Sequence, residues 1–183
     1  LHAVQLWIAL PMNQAIEPNF EHYPELPQWS ENGVDYVLTT GQFGGHTAPT
    51  TQYSPLLGVD IQFKETQTLT IPTQAGWEYG ALVIAGSVAA DDGTRAAADE
   101  LLFIEQADGS FTLTAETGSH IMLLGGEPIG PRLIEWNFVS SSKDRLEQAK
   151  ADWRAGRMKL PDLDHDEFIP LPEGPPPPAN PMS

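Results

Sequence analysis

The chain has 183 residues, of which 25 are acidic and 9 basic, with a formal net charge of −16 and no cysteine. So acidic a chain repels phosphate backbones, which argues against nucleic-acid binding. The lack of cysteine excludes a disulfide framework and Cys-based zinc or nucleophile chemistry. No stretch approaches the roughly 20 apolar residues needed to span a bilayer. We therefore expect a cytoplasmic protein without nucleic-acid or membrane partners.

The N-terminal residues predict a strand followed by a linker. The strand segment is residues 1–12: β-branched and aromatic side chains such as Trp7 and Ile8 predict a strand over residues 1–10, which Pro11 ends. Residues 13–32 are polar and interrupted by three prolines, which is typical of a linker. Because the sequence begins at Leu1, inside the predicted strand, we expect the chain to be a fragment or processed product of a longer protein.

Residues 33–140 alternate short apolar runs with glycine, proline and aspartate turn signals. Many strands at such spacing indicate an all-β fold, a β-sandwich or small barrel. We expect its interior to be filled by Leu82, Ile84, Phe103 and Leu123, with a dry core. The predicted strands are Val34–Thr39, Leu57–Phe63, Thr68–Ile71, Gly80–Val88, Leu101–Glu105, Phe111–Ala115, His120–Leu124 and Arg132–Val139.

A single helix is predicted at residues 141–158. Ser141 can act as its N-cap, with Asp144 three residues further on in the capping-box position. Gly156 is a plausible end. The apolar stripe that packs this helix on a core consists of Leu146, Ala149 and Trp153.

The last predicted segment, residues 159–183, contains many prolines, including the run at residues 175–178. We expect an extended or polyproline II tail. Residues 168–172, F-I-P-L-P, are its one apolar patch able to dock. The acidic run at residues 162–167 is interpreted as solvated, since it lacks a calcium-loop glycine and the ligand spacing of such a loop.

Motifs at both ends of the sequence resemble the pirin family. Residues 1–11 read L-H-A-V-Q-L-W-I-A-L-P, and residues 123–129 read L-L-G-G-E-P-I. Residues 136–141, W-N-F-V-S-S, and residues 148–153, Q-A-K-A-D-W, are similar to the ending of bacterial pirins. The resemblance runs from residue 1 to about residue 172.

The resemblance implies a cupin fold and divides the family's chemistry between two halves. Each half of a pirin is a cupin, an RmlC-like jelly roll, and the N-terminal half binds an iron-like divalent metal through His and Glu residues. Some members resemble quercetin dioxygenases and others are regulators. Those metal ligands precede the L-H-x-x-Q-L-W strand, so the resemblance implies that this chain is the C-terminal cupin without the metal-binding half.

The residues of this chain do not supply a second metal site. A metal-binding cupin needs two His separated by one residue, a following Glu and Gly, and a third His on a later strand. Aligning Gly86 with that Gly places Tyr79 at the Glu position. The paired His positions then fall on Pro72 and Gln74, or on Thr73 and Ala75, so we expect no metal ligand and no catalytic residue in this chain.

We do not expect the histidines of the chain to form a metal site either. The third ligand position falls on Ile121, and His120 lies one residue early, so it should point away from the interior. His2, His22, His46 and His165 have no pair with a spacing that would direct two imidazoles at one ion.

We weigh three functions. The first is a structural and interaction module that supports the N-terminal cupin; in that case Gln5 and Trp7, which share a strand face, could line the cavity of the missing half. The second is one wall of a metal-dependent dioxygenase of the quercetin 2,3-dioxygenase type. The third is an acidic regulatory module for a protein partner. Because the first strand would be an unpaired apolar edge, we expect association with the N-terminal half or with a second copy.

Overall fold

The structure, a computed structural model, describes residues 3–12, 16–105, 109–160 and 167–174. The chain divides into two compact units, one formed by Ala15–Pro128 and the other by Leu1–Gln14 with Ile129–Ser183. The strands of the larger unit are β1 Gln28–Glu31, β2 Val34–Thr40, β3 Gln42–Phe43, β4 His46–Thr47, β5 Leu56–Phe63, β6 Gln67–Pro72, β7 Glu78–Ala85, β8 Ser87–Ala90, β9 Arg95–Ala97, β10 Leu101–Ile104, β11 Ser110–Ala115 and β12 His120–Gly126.

Two antiparallel sheets of the larger unit share one core. The first has the strand order β1-β2-β5-β12-β7-β10 and the second β6-β11-β8-β9, and β3 and β4 form a separate hairpin. Alternate residues of both sheets are buried in the same cluster, among them Ile61 and Leu123 from the first and Ile71 and Leu113 from the second. Because side chains alternate between the faces of a strand, each sheet contributes one apolar face to this core. The predicted all-β sandwich is therefore confirmed.

The predicted interior was right for one residue and wrong for three. Leu123 is fully buried, but Leu82 and Ile84 are only half-buried and Phe103 is 57% exposed. The pairing of β12 with β7 places Leu123 opposite Ala81, so Ala81 and not Leu82 faces the core. On β10, Phe103 pairs with Gly80, the residue next to Ala81. Because neighbouring residues of a strand point to opposite faces, Phe103 lies on the outer face of the sheet. An almost continuous apolar run does not reveal which alternate set points inward.

The first sheet begins inside the predicted linker. β1 lies within residues 13–32 and pairs with β2 in a register that joins Glu31 to Val34. The two residues between them, Asn32 and Gly33, have φ values of 49° and 75°. Asn-Gly with two positive φ angles is the preferred two-residue hairpin turn. The linker prediction is therefore wrong over residues 28–31.

The predicted strand Gly80–Val88 is interrupted at Gly86, which divides β7 from β8. Gly86 has φ +75°, and a Cβ atom there would lie 2.8 Å from the Cα of Ser119. The Ser119 hydroxyl donates to the carbonyl of Ser87 at 3.1 Å. The chain can therefore pass from one sheet to the other at this point only with glycine.

In the smaller unit, the predicted strand Arg132–Val139 is a hairpin of β13, Leu133–Glu135, and β14, Phe138–Ser140. It turns at Trp136, whose φ is 53°. The apolar pattern was read as one strand because the two-residue turn contains no proline or glycine. Arg132 donates to the carbonyl of Leu10 at 2.9 Å, which ties the N-terminal segment to this unit.

The helix α1, Lys143–Arg154, is shorter than the predicted 141–158. Its N-cap is Ser142 rather than Ser141, and that residue makes no side-chain capping hydrogen bond, so the predicted capping box with Asp144 is wrong. Gly156 has φ +63° after the last turn, as expected for a helix end.

The buried side of α1 includes a charge that the apolar stripe did not predict. Leu146 is 4% exposed, and Lys150, one turn further, is 8% exposed. The Lys150 ammonium donates to Glu135 at 2.6 Å and to Glu147 at 2.8 Å. These bonds raise the pKa of Lys150 and lower that of Glu147. A buried ammonium is tolerated here because two carboxylates compensate it.

The tail docks on the helix through the predicted apolar patch. The Trp153 indole donates to the carbonyl of Ile169 at 2.9 Å. Its ring stacks on Phe168 with centroids 5.0 Å apart, and Trp136 packs edge-on against it at 5.5 Å. Residues 161–166 and 175–183 lie outside the described residues, so the predictions for the acidic run and the proline run apply to parts of the chain that the structure does not describe.

The strand predicted at 1–12 is not observed: residues 3–12 have no strand hydrogen bonding. Strand backbone needs a partner for its donors and acceptors, and none of the described residues provides one. The assignment of this segment to the sheet of another cupin stays a prediction. The unit boundary at Pro128 also differs from the predicted domain end at residue 140. No helix among the described residues is long and apolar enough to cross a bilayer.

Candidate cavity of the cupin unit

A cavity of about 570 Å³ opens in the larger unit between the β3–β4 hairpin and the start of β7. Small-molecule sites commonly have volumes of roughly 300–1,000 Å³, so this space is large enough for a ligand. The sequence left open whether the domain has a cavity and favoured a dry core; the core is packed, and the cavity lies at its edge. Its lining consists of residues 41–47, Gln52, residues 55–57, Pro72, Gln74, Trp77 and Tyr79.

One wall is the β3–β4 hairpin, held from behind by aromatic stacking. The Trp29 ring stacks on Tyr36 with centroids 4.9 Å apart and on His46 at 4.2 Å, and Phe43 packs against it at 6.5 Å. A Cβ atom at Gly44 would lie 2.8 Å from the Trp29 ring, so glycine at the turn allows this approach. Burial raises the pKa of the Tyr36 hydroxyl above its ordinary value, and the Glu31 carboxylate adds to the effect.

The hairpin leaves the sheet at Gly41. Any other residue at this position would force the neighbouring backbone to move. Gly41 has φ +87°, and a Cβ atom there would lie 2.3 Å from the carbonyl oxygen of Leu56. The Gly41 carbonyl accepts from the amide of Ala48 at 2.9 Å, which closes the base of the hairpin. These contacts fix the position of this wall relative to the start of β5.

The opposite wall is aromatic and carries a buried hydroxyl. Tyr79 is 3% exposed, and its hydroxyl accepts from the backbone amide of Gln74 at 2.8 Å. Its ring lies across Gly125, where a Cβ atom would come within 2.7 Å of the ring. Trp77 packs against Tyr79 with centroids 6.1 Å apart, and Phe111 supports it from the core at 5.4 Å. The accepted hydrogen bond fixes the Tyr79 oxygen and leaves its hydrogen to donate.

Three positions where a metal-binding cupin would hold its ligands line this cavity. They are Tyr79 and, in the alignment on Pro72 and Gln74, those two residues as well; the position of the third His, Ile121, is fully buried in the core. None offers the imidazole or carboxylate donors that an iron-like ion needs. Within the described residues, no group of three or more His, Cys, Asp and Glu side chains could hold a metal ion. The residues present therefore do not fit the metal that the cupin fold implies.

His120 points away from the core, as predicted from its position one residue before Ile121. Its Nε2 lies 2.7 Å from Oδ2 of Asp60 on the neighbouring strand β5, and both side chains are about a quarter exposed. Gln62 donates to the same carboxylate at 3.5 Å. His120 is thus a hydrogen-bonded residue on the outer face of the first sheet.

The remaining sequence candidates lie apart from the cavity. Gln5 and Trp7 are exposed, the latter by 54%, and they belong to the smaller unit; their role in lining a neighbouring cupin stays a prediction. His2 and His165 lie outside the described residues. The cavity itself went unpredicted, although the Gly44-Gly45 pair between two short polar-aromatic runs is a hairpin signal that could have indicated its wall.

Two antiparallel sheets around one core, with a cavity at the edge of that core, define the larger unit as a cupin-type β-sandwich. The model of the Pirin C-terminal cupin domain matches residues 58–159 of the chain, so the chain belongs to the pirin family.

Two curated relatives and one solved structure illustrate the similarity. The chain is 46% identical over 178 residues to a pirin-like protein of Caulobacter vibrioides, a match that covers 94% of this chain and 60% of that protein. It is 38% identical over 165 residues to a Pseudomonas aeruginosa protein named as a putative quercetin 2,3-dioxygenase. This match covers 89% of this chain and 52% of that protein.

The solved structure is a quercetin 2,3-dioxygenase from Acinetobacter baumannii, which superimposes with a TM-score of 0.82 at 29% identity, over 92% of this chain and 57% of that one. The chain thus spans a little over half the length of the relatives that it matches.

Proposed function

We propose that this chain is the metal-free cupin of a two-cupin protein of the pirin type and acts as a structural and interaction module beside a metal-binding N-terminal cupin. The observation that carries the proposal is that the aligned metal-ligand positions hold Tyr79, Ile121 and either Pro72 and Gln74 or Thr73 and Ala75, none of which is His, Asp or Glu. A donor set of this kind holds no transition metal, so metal chemistry would have to reside in the other cupin. The relatives' greater length leaves room for such a domain.

An exposed apolar segment supports the interaction role. Within residues 3–12, Leu6, Trp7, Ile8 and Leu10 are each between 41% and 54% exposed. Exposed contiguous apolar surface is a mark of an interface, and a partner sheet could cover this segment by strand addition. We therefore propose that the segment pairs with the sheet of a neighbouring cupin.

The test is reconstitution with a metal-binding half. The part of the Caulobacter pirin-like protein that precedes the region matched by this chain would be purified with iron and mixed with the chain. We expect a one-to-one complex on size-exclusion chromatography, with iron in the partner. A Trp7→Lys variant should weaken the complex, whereas a Phe20→Lys variant, at a residue 88% exposed in the other unit, should not. Absence of any complex, or equal effects of both variants, would count against the proposal.

A second candidate is a contribution to dioxygenase activity, favoured by the names of the Pseudomonas and Acinetobacter relatives. The chain would then supply one wall of a site whose metal belongs to the other cupin. Oxygen uptake with quercetin, measured for the iron-loaded partner with and without this chain, distinguishes the two. A rate that rises on addition of the chain favours the catalytic role, and an unchanged rate in a formed complex favours the structural one.

A third candidate, an acidic regulatory module, rests on the net charge of −16. A basic protein partner would bind it with an affinity that falls steeply with ionic strength. The complex with a cupin half should instead persist at high salt, because it would bury apolar side chains. Salt dependence of binding therefore separates the two partner classes.

A further inference from the structure

The cavity lining has an unusual electrostatic character for so acidic a chain. Among the described residues that line it, none is Asp, Glu, Lys or Arg, and His46 and Tyr79 are the titratable ones. Bound anions or cations need a compensating charge when water is displaced. With no carboxylate, ammonium or guanidinium in the lining, the site favours an uncharged ligand.

Three of the six polar residues that line the cavity carry a side-chain amide. Gln42, Gln52 and Gln74 all line the cavity, and an unpaired side-chain amide presents a donor and an acceptor in one plane. The Nε2 of Gln52 donates to Thr40 at 2.9 Å and to the Leu56 carbonyl at 3.1 Å, which leaves its Oε1 to accept. The ligand edge that matches an amide is itself a paired donor and acceptor, as on a nucleobase.

Two aromatic residues line the same cavity from different elements. Phe43 belongs to the β3–β4 hairpin, and Trp77 lies just before β7. Trp77 is held against Tyr79, whose hydroxyl hydrogen is available to donate. Aromatic side chains bind flat heterocycles by stacking, with little dependence on the particular base.

From these three observations we propose that the cavity is a metal-independent binding site for a neutral, planar nitrogen heterocycle with a donor–acceptor edge, the chemistry of a free nucleobase. The aromatic rings stack on the heterocycle, and the glutamine amides and the Tyr79 hydroxyl read its edge. This site goes beyond the structural role proposed above. A support module that binds no heterocycle would fail here and still satisfy the reconstitution test.

Adenine is the probe, and three related compounds serve as controls. Purine keeps the flat ring but lacks the amino donor; adenosine and adenosine monophosphate differ by the charged phosphate. Binding to the whole chain would be followed by two-dimensional NMR of the indole N–H signals in the presence of a metal chelator. We expect adenine at millimolar concentration to shift the Trp77 signal, with purine binding roughly tenfold more weakly. Adenosine monophosphate should bind more weakly than adenosine.

Variants test which groups read the edge. Gln74→Leu keeps the side-chain bulk without the amide and should weaken adenine binding roughly tenfold; Gln67→Leu, outside the cavity, should leave it unchanged. Gln42→Leu, on the exposed hairpin, tests the same idea where folding is not at risk. The proposal is overturned if adenine leaves the Trp77 signal in place, if purine binds as well as adenine, if the phosphate makes no difference, or if neither glutamine variant weakens binding.

Discussion

The glycine at the base of the hairpin offers the sharpest test of how the cavity wall is held. Gly41 and Gly45 lie in the same hairpin with similar φ values, +87° and +79°. A Cβ atom at Gly41 would lie 2.3 Å from the Leu56 carbonyl oxygen, whereas one at Gly45 would meet nothing within 4 Å. Alanine at either position incurs the left-handed backbone strain, but at Gly41 it also requires the backbone to move.

The expected magnitudes follow from these two costs. Left-handed backbone costs an L-residue roughly 1–2 kcal/mol, and a forced backbone shift adds about 1–3 kcal/mol. Gly45→Ala should therefore lower the free energy of unfolding by roughly 1–2 kcal/mol and Gly41→Ala by roughly 2–5 kcal/mol. Urea denaturation followed by circular dichroism measures both. If the two variants differed by less than about 0.5 kcal/mol, the normal range for inconsequential changes, the proposed contact between Gly41 and β5 would be refuted.

Two further predictions concern the smaller unit's ion pairs and the core. Because the pKa of Glu147 is lowered below 4.5, its ionised form stabilises the fold above that value, and this contribution is lost as the pH falls through the lowered pKa. The raised pKa of Lys150 gives a contribution present below 10.5 and lost as the pH rises through the raised value. The melting temperature should therefore fall both at acidic pH and at strongly alkaline pH, and Lys150→Met should reduce both decreases. Unchanged pH dependence in this variant would contradict the assignment. Leu123→Ala, at a fully buried residue, should cost about 2–5 kcal/mol in urea denaturation, whereas Leu101→Ala, 56% exposed, should cost less than about 0.5 kcal/mol; equal losses would contradict the placement of Leu123 on the inner face of the first sheet and of Leu101 on its outer face.

The strands could be predicted from the sequence, but the inward-facing set could not. Apolar runs between turn signals located β2, β5, β6, β11 and β12 to within two residues at each end. In β7 the run A-L-V-I is apolar at every position, so alternation does not distinguish its two faces. Leu82 and Ile84 were placed inside, whereas the neighbouring strand β12 fixes the opposite set by pairing Leu123 with Ala81. That pairing is a long-range property which local pattern does not encode.

The sequence predicted some residues of the candidate site, but it did not predict the cavity that they line. Motif alignment placed Tyr79 at the Glu position and the paired His positions at Pro72 and Gln74 or at Thr73 and Ala75, and the structure places Pro72, Gln74 and Tyr79 in one cavity. The β3–β4 hairpin escaped prediction because its strands have two residues each, too few for periodicity. Its Gly44-Gly45 turn was the available signal. The linker prediction failed for a similar reason, since β1 is polar and its Asn32-Gly33 turn was overlooked.

Metal content tests the central claim most directly. The purified chain would be incubated anaerobically with ferrous iron, and separately with nickel and zinc, desalted, and measured by plasma mass spectrometry. Because Tyr79 and Ile121 stand where a carboxylate and an imidazole would be needed, we expect far less than one metal ion per chain, on the order of a tenth or lower. One ion per chain, retained through desalting and lost in a Tyr79→Phe variant, would contradict the account.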